Sequence, residues 1–275
     1  MKKKRADEAL YEALNLESMA LARALIMEGR AFAGERKLCS VAETVRPDEI
    51  LRVKGLLNPY VSRGAYKLKR ALEVFDITLE DRVCVDIGSS TGGFTDIMLR
   101  NGAQRVYCVD VGYNLLDWRI RSDSRVMVME RTNARFLTSE SFDQPPEFGA
   151  TDVSFISLKL ILPAVLPLLR AGAGFVALVK PQFEAAKEDV GEKGVVRSRD
   201  VHRGVLEDIL SFMDSTQWKP VGLATSPIRG QEGNAEFLLY LKKKTAPQEA
   251  ISEDAIQAQL DALEESGYYK NPLYL

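Results

Sequence analysis

From about residue 82 onward, short apolar runs rich in β-branched and aromatic residues alternate with longer amphipathic ones. The short runs predict strands near 82–87, 105–110, 125–129, 149–153 and 174–180. The amphipathic stretches predict helices near 93–101, 114–121, 158–170 and 200–215. Regular strand–helix alternation predicts an α/β fold, a mostly parallel sheet with helices on both faces. A closing pair, Val221–Ser226 and Ala235–Leu241, predicts an antiparallel last strand at one edge. Upstream, helices are expected near Ala6–Leu14 and Met19–Glu28, the second ended by Gly29 as a left-handed cap, then a hairpin-like segment. A further helix opens within 55–70 and runs to about Phe75. The organisation expected is a small α+β head at 1–54, a linker at 55–62, the α/β body at 63–244 and a tail at 245–275. Within the tail, Ala250–Glu265 is amphipathic, either a docked helix or an arm that orders on binding.

Composition changes this picture little. The 275 residues are 46% apolar and 28% charged, as in an ordinary soluble protein. The longest uncharged apolar runs, Leu160–Leu169 and Ala171–Val179, are split by Arg170 and fall short of a bilayer span. Lys2-Lys3-Lys4-Arg5 is followed by no apolar stretch, so no signal peptide is read there. A cytoplasmic protein with no membrane partner is expected. Cys39, Cys84 and Cys108 form no C-x-x-C pair, and the two in predicted strands read as buried small hydrophobes. His202 is the only histidine. It excludes a histidine-rich metal site and reads as a helix-surface or capping residue.

Charge is unevenly spread. Residues 1–70 carry 15 lysines and arginines against 9 acidic residues, whereas 245–275 carry 1 against 6. A basic head points to a polyanion or to a solvated basic surface.

The densest chemistry lies in Val83-Cys84-Val85-Asp86-Ile87-Gly88-Ser89-Ser90-Thr91-Gly92-Gly93-Phe94-Thr95-Asp96. An apolar strand runs into a turn of small residues and then a helix. The glycines let the backbone approach a ligand, and the helix start offers free N–H groups and partial positive charge. The spacing does not fit G-x-G-x-x-G. D-x-G-x-x-x-G is similar instead to the first motif of S-adenosylmethionine (SAM) methyltransferases. That resemblance implies SAM as cofactor, bound by Asp86, Gly88, Ser89, Ser90, Thr91, Gly92, Gly93 and Phe94. Asp110, at the end of the second strand, reads as a partner for ribose hydroxyls or as a turn residue. Asn133, after the third strand, is placed to line the adenine side.

Four charged residues stand near strand ends or on the preceding helix. They are Lys67, Asp152, Lys180 and Glu236, with solvated helix surface and edge-strand charge as the bland readings of Lys67 and Glu236. In this order they resemble the tetrad of FtsJ-type ribose 2′-O-methyltransferases. The surrounding phrases (Tyr-Val-Ser-Arg-Gly-Ala, Glu-Arg-Thr-Asn, Asp-Val-Ser-Phe-Ile-Ser-Leu, Val-Lys-Pro-Gln-Phe-Glu, Gly-Asn-Ala-Glu) are similar to the TlyA/haemolysin A family as far as about Lys244. That resemblance implies a Rossmann-like SAM methyltransferase domain joined to an S4-like RNA-binding head. It also implies methylation of a ribose 2′-hydroxyl of ribosomal RNA, usually at cytidine, with Lys67, Asp152, Lys180 and Glu236 as catalytic residues. Asp152 also touches the methyl-donor end of SAM in this reading, and no metal is required. Lys69 is the nearest rival to Lys67.

The head itself resembles an S4 domain through R-x-D-x-x-L, from Arg5, and S-x-x-x-A-x-x-L-I-x-x-G, from Ser18. It departs at Met19 and at Ala33-Gly34-Glu35. Arg5, Arg23, Arg30, Lys37, Arg63, Lys193 and Arg197 are the candidate RNA contacts. Lys193 and Arg197 lie in Glu184–Arg199, a glycine-bearing loop that covers the ligands or is simply solvated. Ribosomal RNA or a ribosomal subunit is the implied partner, and no obligate protein partner is evident. The rival classes are a catalytically silent ribosome-assembly factor and a membrane-active cytolysin, the latter without a spanning segment or basic amphipathic helix in its support.

Overall fold

The computed structural model describes residues 3–14, 16, 18–34, 36–46, 49, 51–54, 59–243 and 251–269. Lys2, Glu35, residues 55–58 of the expected linker, and residues 244–250 and 270–275 of the body's end and the tail lie outside them. The chain forms two compact units, Met1–Pro59 and Tyr60–Leu275.

In the first unit, β1 (Lys4–Arg5) leads into α1 (Ala6–Ala13) and α2 (Met19–Met27), followed by β2 (Ala31–Ala33), β3 (Arg36–Lys37), β4 (Thr44–Val45) and β5 (Leu51–Val53). Ser18 starts α2 by accepting a hydrogen bond from Leu21 N at 3.1 Å. Gly29, at φ 67°, ends that helical segment as expected. Ala22, Leu25 and Ile26 recur at helical spacing and are buried against Leu10, Ala31 and Leu38. Among the described residues, β3-β2-β5 forms a small antiparallel sheet and β1 pairs with β4.

The second unit runs α3 (Ala65–Val74), β6 (Val83–Ile87), α4 (Gly93–Arg100), β7 (Arg105–Val109), α5 (Trp118–Arg121), β8 (Val126–Met129), β9 (Phe148–Thr151), α6 (Leu158–Val165), β10 (Gly174–Val179), α7 (Pro181–Glu184), α8 (Arg199–Asp214), β11 (Trp218–Thr225), β12 (Phe237–Lys243) and α9 (Glu253–Glu265). Its sheet has the order β11-β12-β10-β9-β6-β7-β8 among the described residues. Strands β6 to β10 are mutually parallel, and β12 is antiparallel to both β10 and β11. The α/β class and the antiparallel last strand are therefore as expected. Both sheet faces are covered, which explains why β6 and β10 are buried at every position and read as continuous apolar runs. After β8 the chain returns to the other side of β6. The β6/β9 gap is thus the switch point, where open α/β sheets bind ligands.

Several expectations change. The helix expected at 114–121 is only α5: Asn114 sits at φ 57°, and Asp117 caps the helix late by accepting from Arg119 N at 2.9 Å. The helix expected to reach 170 stops at Val165 and passes into a 3₁₀ turn at Leu166–Leu168, since Pro167 has no N–H to continue it. His202 is neither a surface nor a capping residue. It is fully buried on the inner face of α8 with Val205, Leu206 and Ile209, and it packs against Phe237, Tyr268 and Tyr269. The cover is the C-terminal segment. Helix α9 buries Ile256, Leu260 and Leu263 in the same core as α8 and β11, the docked alternative of the two considered for it. No described helix is long and apolar enough to cross a membrane.

Candidate active site

At the carboxyl end of β6 the chain turns over its neighbour. Gly88 N and Ser89 N donate to Val109 O at 2.8 and 3.1 Å, and Gly92 N closes the turn on Ser89 O at 2.7 Å. Gly88 (φ 78°) and Gly92 (φ 93°) occupy the left-handed region, which explains glycine at both. Gly93 is required for another reason: a Cβ there would stand 2.3 Å from Ser62 Oγ and 3.0 Å from Ala65 N. Asp86 lies beneath the turn, buried, its Oδ2 accepting from Thr95 N at 3.0 Å and Thr95 Oγ1 at 2.7 Å. Burial pushes its carboxyl up to about 7 against the opposing pull of those two bonds. Asp110 reaches back to the turn, accepting from Ser90 N at 2.8 Å and Gly112 N at 2.7 Å.

Beside the turn opens a cleft of about 790 Å³, open solvent included. It is lined by Asp86, Gly88, Ser89, Ser90, Thr91, Gly93 and Phe94 from the turn, and by Lys67, Asp152, Lys180 and Glu236 across from it. Gly92, Asp110 and Asn133 do not line it. Gly92 is buried as the cap of α4, and Asn133 caps a 3₁₀ turn by accepting from Arg135 N at 3.1 Å.

The four charged residues meet although they come from distant elements. Lys67 stands on α3, Asp152 follows β9, Lys180 follows β10, and Glu236 precedes β12. Lys67 Nζ is 3.0 Å from Asp152 Oδ2 and 2.8 Å from Glu236 Oε2. Lys180 Nζ is 2.6 Å from Asp152 Oδ1 and donates to Ser154 Oγ at 2.8 Å. Lys67, Lys180 and Glu236 are each less than a tenth exposed. Burial alone would lower the Lys67 ammonium's pKa, but Asp152 and Glu236 outweigh it and hold the group above its ordinary value. Burial likewise works to raise Asp152, and the two lysines reverse it, keeping this carboxylate below the ordinary range. For Glu236 burial wins over Lys67, and its carboxyl is pushed up. Two cations and two carboxylates thus balance in a site that could not hold any one of them unpaired. The bland readings of Lys67 and Glu236 fail: neither is solvated, and β12 is interior to the sheet.

Sequence reasoning passed over Ser62, Gly64, Ser154, Gln182, Phe183 and Gly230, which also line the cleft. Ser154 and Gln182 fall two residues after Asp152 and Lys180, a spacing that keeps them at the same strand ends and was their one available signal. At the mouth Phe155, 82% exposed and at φ 64°, lies 5.2 Å from the Phe183 ring.

The candidate RNA contacts divide. Arg63 is exposed and lines the cleft. Lys193 is exposed and Arg197 half-buried, and neither lines it. Their segment is anchored at its end, where Val195 and Val196 are buried and Arg199 pairs with Asp261 and Glu264. In the first unit, Arg5 and Arg23 both bind the buried Asp7, whose carboxyl the Arg5 bond holds down to about 2 against burial. Arg30 donates to Lys54 O at 2.9 Å and Glu28 at 3.0 Å, while Lys37 is exposed.

Residues 60–243 match the FtsJ-like methyltransferase family, which spans the sheet and all four charged residues. The chain belongs to that family. A Bacillus subtilis protein provisionally named an rRNA methyltransferase, YqxC, is 49% identical over 241 residues, covering 87% of this chain and 86% of its own. The 16S/23S rRNA (cytidine-2′-O)-methyltransferase TlyA of Mycobacterium tuberculosis is 44% identical over 186 residues, 68% of this chain and 69% of that protein. A solved structure of a provisionally named hemolysin from Streptococcus thermophilus is 41% identical, covers 97% of each chain and superposes with a TM-score of 0.75. These family members place the chain with the TlyA and haemolysin A proteins, the resemblance its motifs carry.

Proposed function

We propose that this FtsJ-like protein is a SAM-dependent RNA methyltransferase that modifies a ribose 2′-hydroxyl, with a cytidine of ribosomal RNA as acceptor. The observation that carries the proposal is the buried Lys67–Asp152–Lys180–Glu236 array facing a glycine turn across one cleft. The relatives' names supply the nucleotide and the RNA class.

The residues at the turn fit the cofactor. The turn offers backbone N–H groups at the start of α4 and lies where a side chain on Gly93 would collide with Ser62. Asp110 spends a lone pair of Oδ2 on Ser90 N of the turn and one of Oδ1 on Gly112 N, and keeps others for ribose hydroxyls. When bound, SAM supplies a methyl group already activated on a sulfonium.

The chain's own residues then align and deprotonate. Holding the acceptor oxygen in line with the methyl group supplies up to roughly 7–11 kcal/mol in favourable systems. Lys67, held between two carboxylates, keeps its proton and provides fixed positive charge. Lys180, with one carboxylate and one hydroxyl partner, acts as the neutral amine after releasing a proton to solvent: it binds the acceptor hydroxyl and takes its proton as the new O–C bond forms and the methyl group's bond to sulfur breaks. Asp152 fixes both lysine nitrogens, and Glu236 orients Lys67. The first unit, with its S4-like motif and basic charge, holds the RNA together with Arg63.

The test is transfer of labelled methyl from SAM to ribosomal subunits from cells lacking this protein, followed by digestion to nucleosides. Label in 2′-O-methylcytidine is expected. No transfer to either subunit or to free ribosomal RNA would overturn the proposal.

A further inference from the structure

The C-terminal segment, acidic and distant in sequence from the motifs quoted above, delivers one buried hydroxyl to the framework of the site. Beyond the cap of α9 at Ser266, Gly267 takes φ 80° and the chain turns back so that Tyr268 N bonds Leu263 O at 3.1 Å. That turn drives the Tyr268 side chain inward until it is 1% exposed. Its hydroxyl accepts from Ala235 N at 3.0 Å and donates to Val196 O at 2.9 Å. Both partners belong to fully buried residues.

Those two residues are not incidental. Ala235 immediately precedes Glu236, whose carboxylate meets Lys67 at 2.8 Å. Val196 is the buried root of the segment at 184–199. Asn234 joins the same two stretches from its own side, accepting from Val196 N at 3.0 Å and donating to Gly194 O at 2.9 Å. Above the ring, the Arg229 guanidinium lies 4.5 Å from its centre. Next to Arg229, Gly230 packs so closely that a Cβ there would be 2.2 Å from Glu236 Oε1. The loop that shapes the Glu236 carboxylate's surroundings therefore rests on Tyr268 at both ends. Arg199, paired with Asp261 and Glu264, and Gln259, accepting from Thr225 N at 2.8 Å, hold α9 in place.

We propose that Tyr268 is a positioning residue for methyl transfer, its hydroxyl fixing the backbone before Glu236 so that this carboxylate orients Lys67. This rests on the methyltransferase reading above. A misplacement of about 1 Å in such an array costs on the order of 10²-fold in rate. Loss of one hydroxyl that leaves the ring in place is expected to cost about tenfold in kcat by the same reasoning.

The experiment compares Tyr268→Phe, Glu236→Gln, the double variant, and Tyr269→Phe, in the full chain, at a temperature where circular dichroism shows all of them folded. Tyr269→Phe is the control: it removes a neighbouring hydroxyl that lies 3.1 Å from His202 Nδ1, whereas the Tyr268 hydroxyl bonds Ala235 N and Val196 O. Tyr268→Phe should lower kcat about tenfold, leave the SAM dissociation constant unchanged, and speed amide exchange at Ala235. Tyr269→Phe should leave kcat unchanged, and the double variant should be no slower than Glu236→Gln alone. Full kcat in Tyr268→Phe beside a crippled Glu236→Gln would overturn this inference and spare the function. So would equal losses in the two tyrosine variants, or a double variant slower by the product of the two effects. A wild-type chain that transfers no methyl would overturn the function and the inference together.

Discussion

The two sides of the cleft are built in opposite ways. The turn side is one β–α unit, residues 83–100, in which strand end, glycine turn and helix start follow in sequence and backbone groups do the work. The charged side is assembled from α3 and the ends of β9, β10 and β12, with 85 residues separating Lys67 from its partner Asp152. A local unit depends on its own dihedral angles, whereas the charged array depends on the register of the whole sheet. Damage on the turn side should therefore appear as weaker cofactor binding. On the other side it should appear as lost chemistry, and lost stability where a buried charge is orphaned.

The largest effect is expected at the centre of the charged side. Asp152→Ala leaves two buried ammonium groups without their shared carboxylate, which should cost about 3–5 kcal/mol in denaturant unfolding. Transfer should fall by about 10²–10⁴-fold. If the variant kept its stability, the claim that these charges depend on one another would be broken.

His202 lies outside both sides and should affect stability alone. Burial lowers its imidazole to about 4, with the Arg229 charge adding to the effect. Between 6.5 and about 4 the unfolded chain takes a proton that the folded one refuses, so stability falls as pH drops through that window. The term is on the order of 3 kcal/mol and should vanish in His202→Phe, seen as a difference in unfolding between the two proteins across that range. Asp86 acts with the opposite sign: its folded value of about 7 makes stability fall as pH rises from about 4 to 7. The comparison of His202→Phe with wild type leaves that Asp86 term common to both.

Gly93→Val should cost about 1–3 kcal/mol of stability through the collision with Ser62 and Ala65 and, by shifting the turn, weaken SAM binding, with the transfer rate largely recovered at saturating SAM. A rate that stayed low at saturation would dissolve the division between the two sides. The smallest effect belongs to Lys69, half-buried and paired with Glu73 one helical turn away on α3. Lys69→Ala should change stability by less than about 0.5 kcal/mol and leave transfer intact. A strong loss would move the catalytic role away from Lys67.

How much of this was legible follows the same division. The turn could be read from residues 83–96 alone, because glycine spacing, strand end and helix start lie within one window. Lys67, Asp152, Lys180 and Glu236 could be named only through family resemblance, since nothing in local sequence says that α3 and β12 meet. The burial of His202 has no local signal, because α9 and Tyr268, more than fifty residues downstream, cause it. Helix α5 is shorter than its amphipathic pattern implies, because that pattern does not show the left-handed turn at Asn114. Gly92, read as a cofactor contact from the motif, and Asn133, read as one from its place after the third strand, both cap helical turns, a duty that local spacing does not show.

The most direct test of the central claim is to measure SAM affinity and methyl transfer on the same preparation of Lys180→Met. The division between a binding turn and a reacting array predicts a dissociation constant near that of wild type with transfer reduced by at least about 10²-fold. Transfer at the wild-type rate, or affinity and rate falling together, would contradict it.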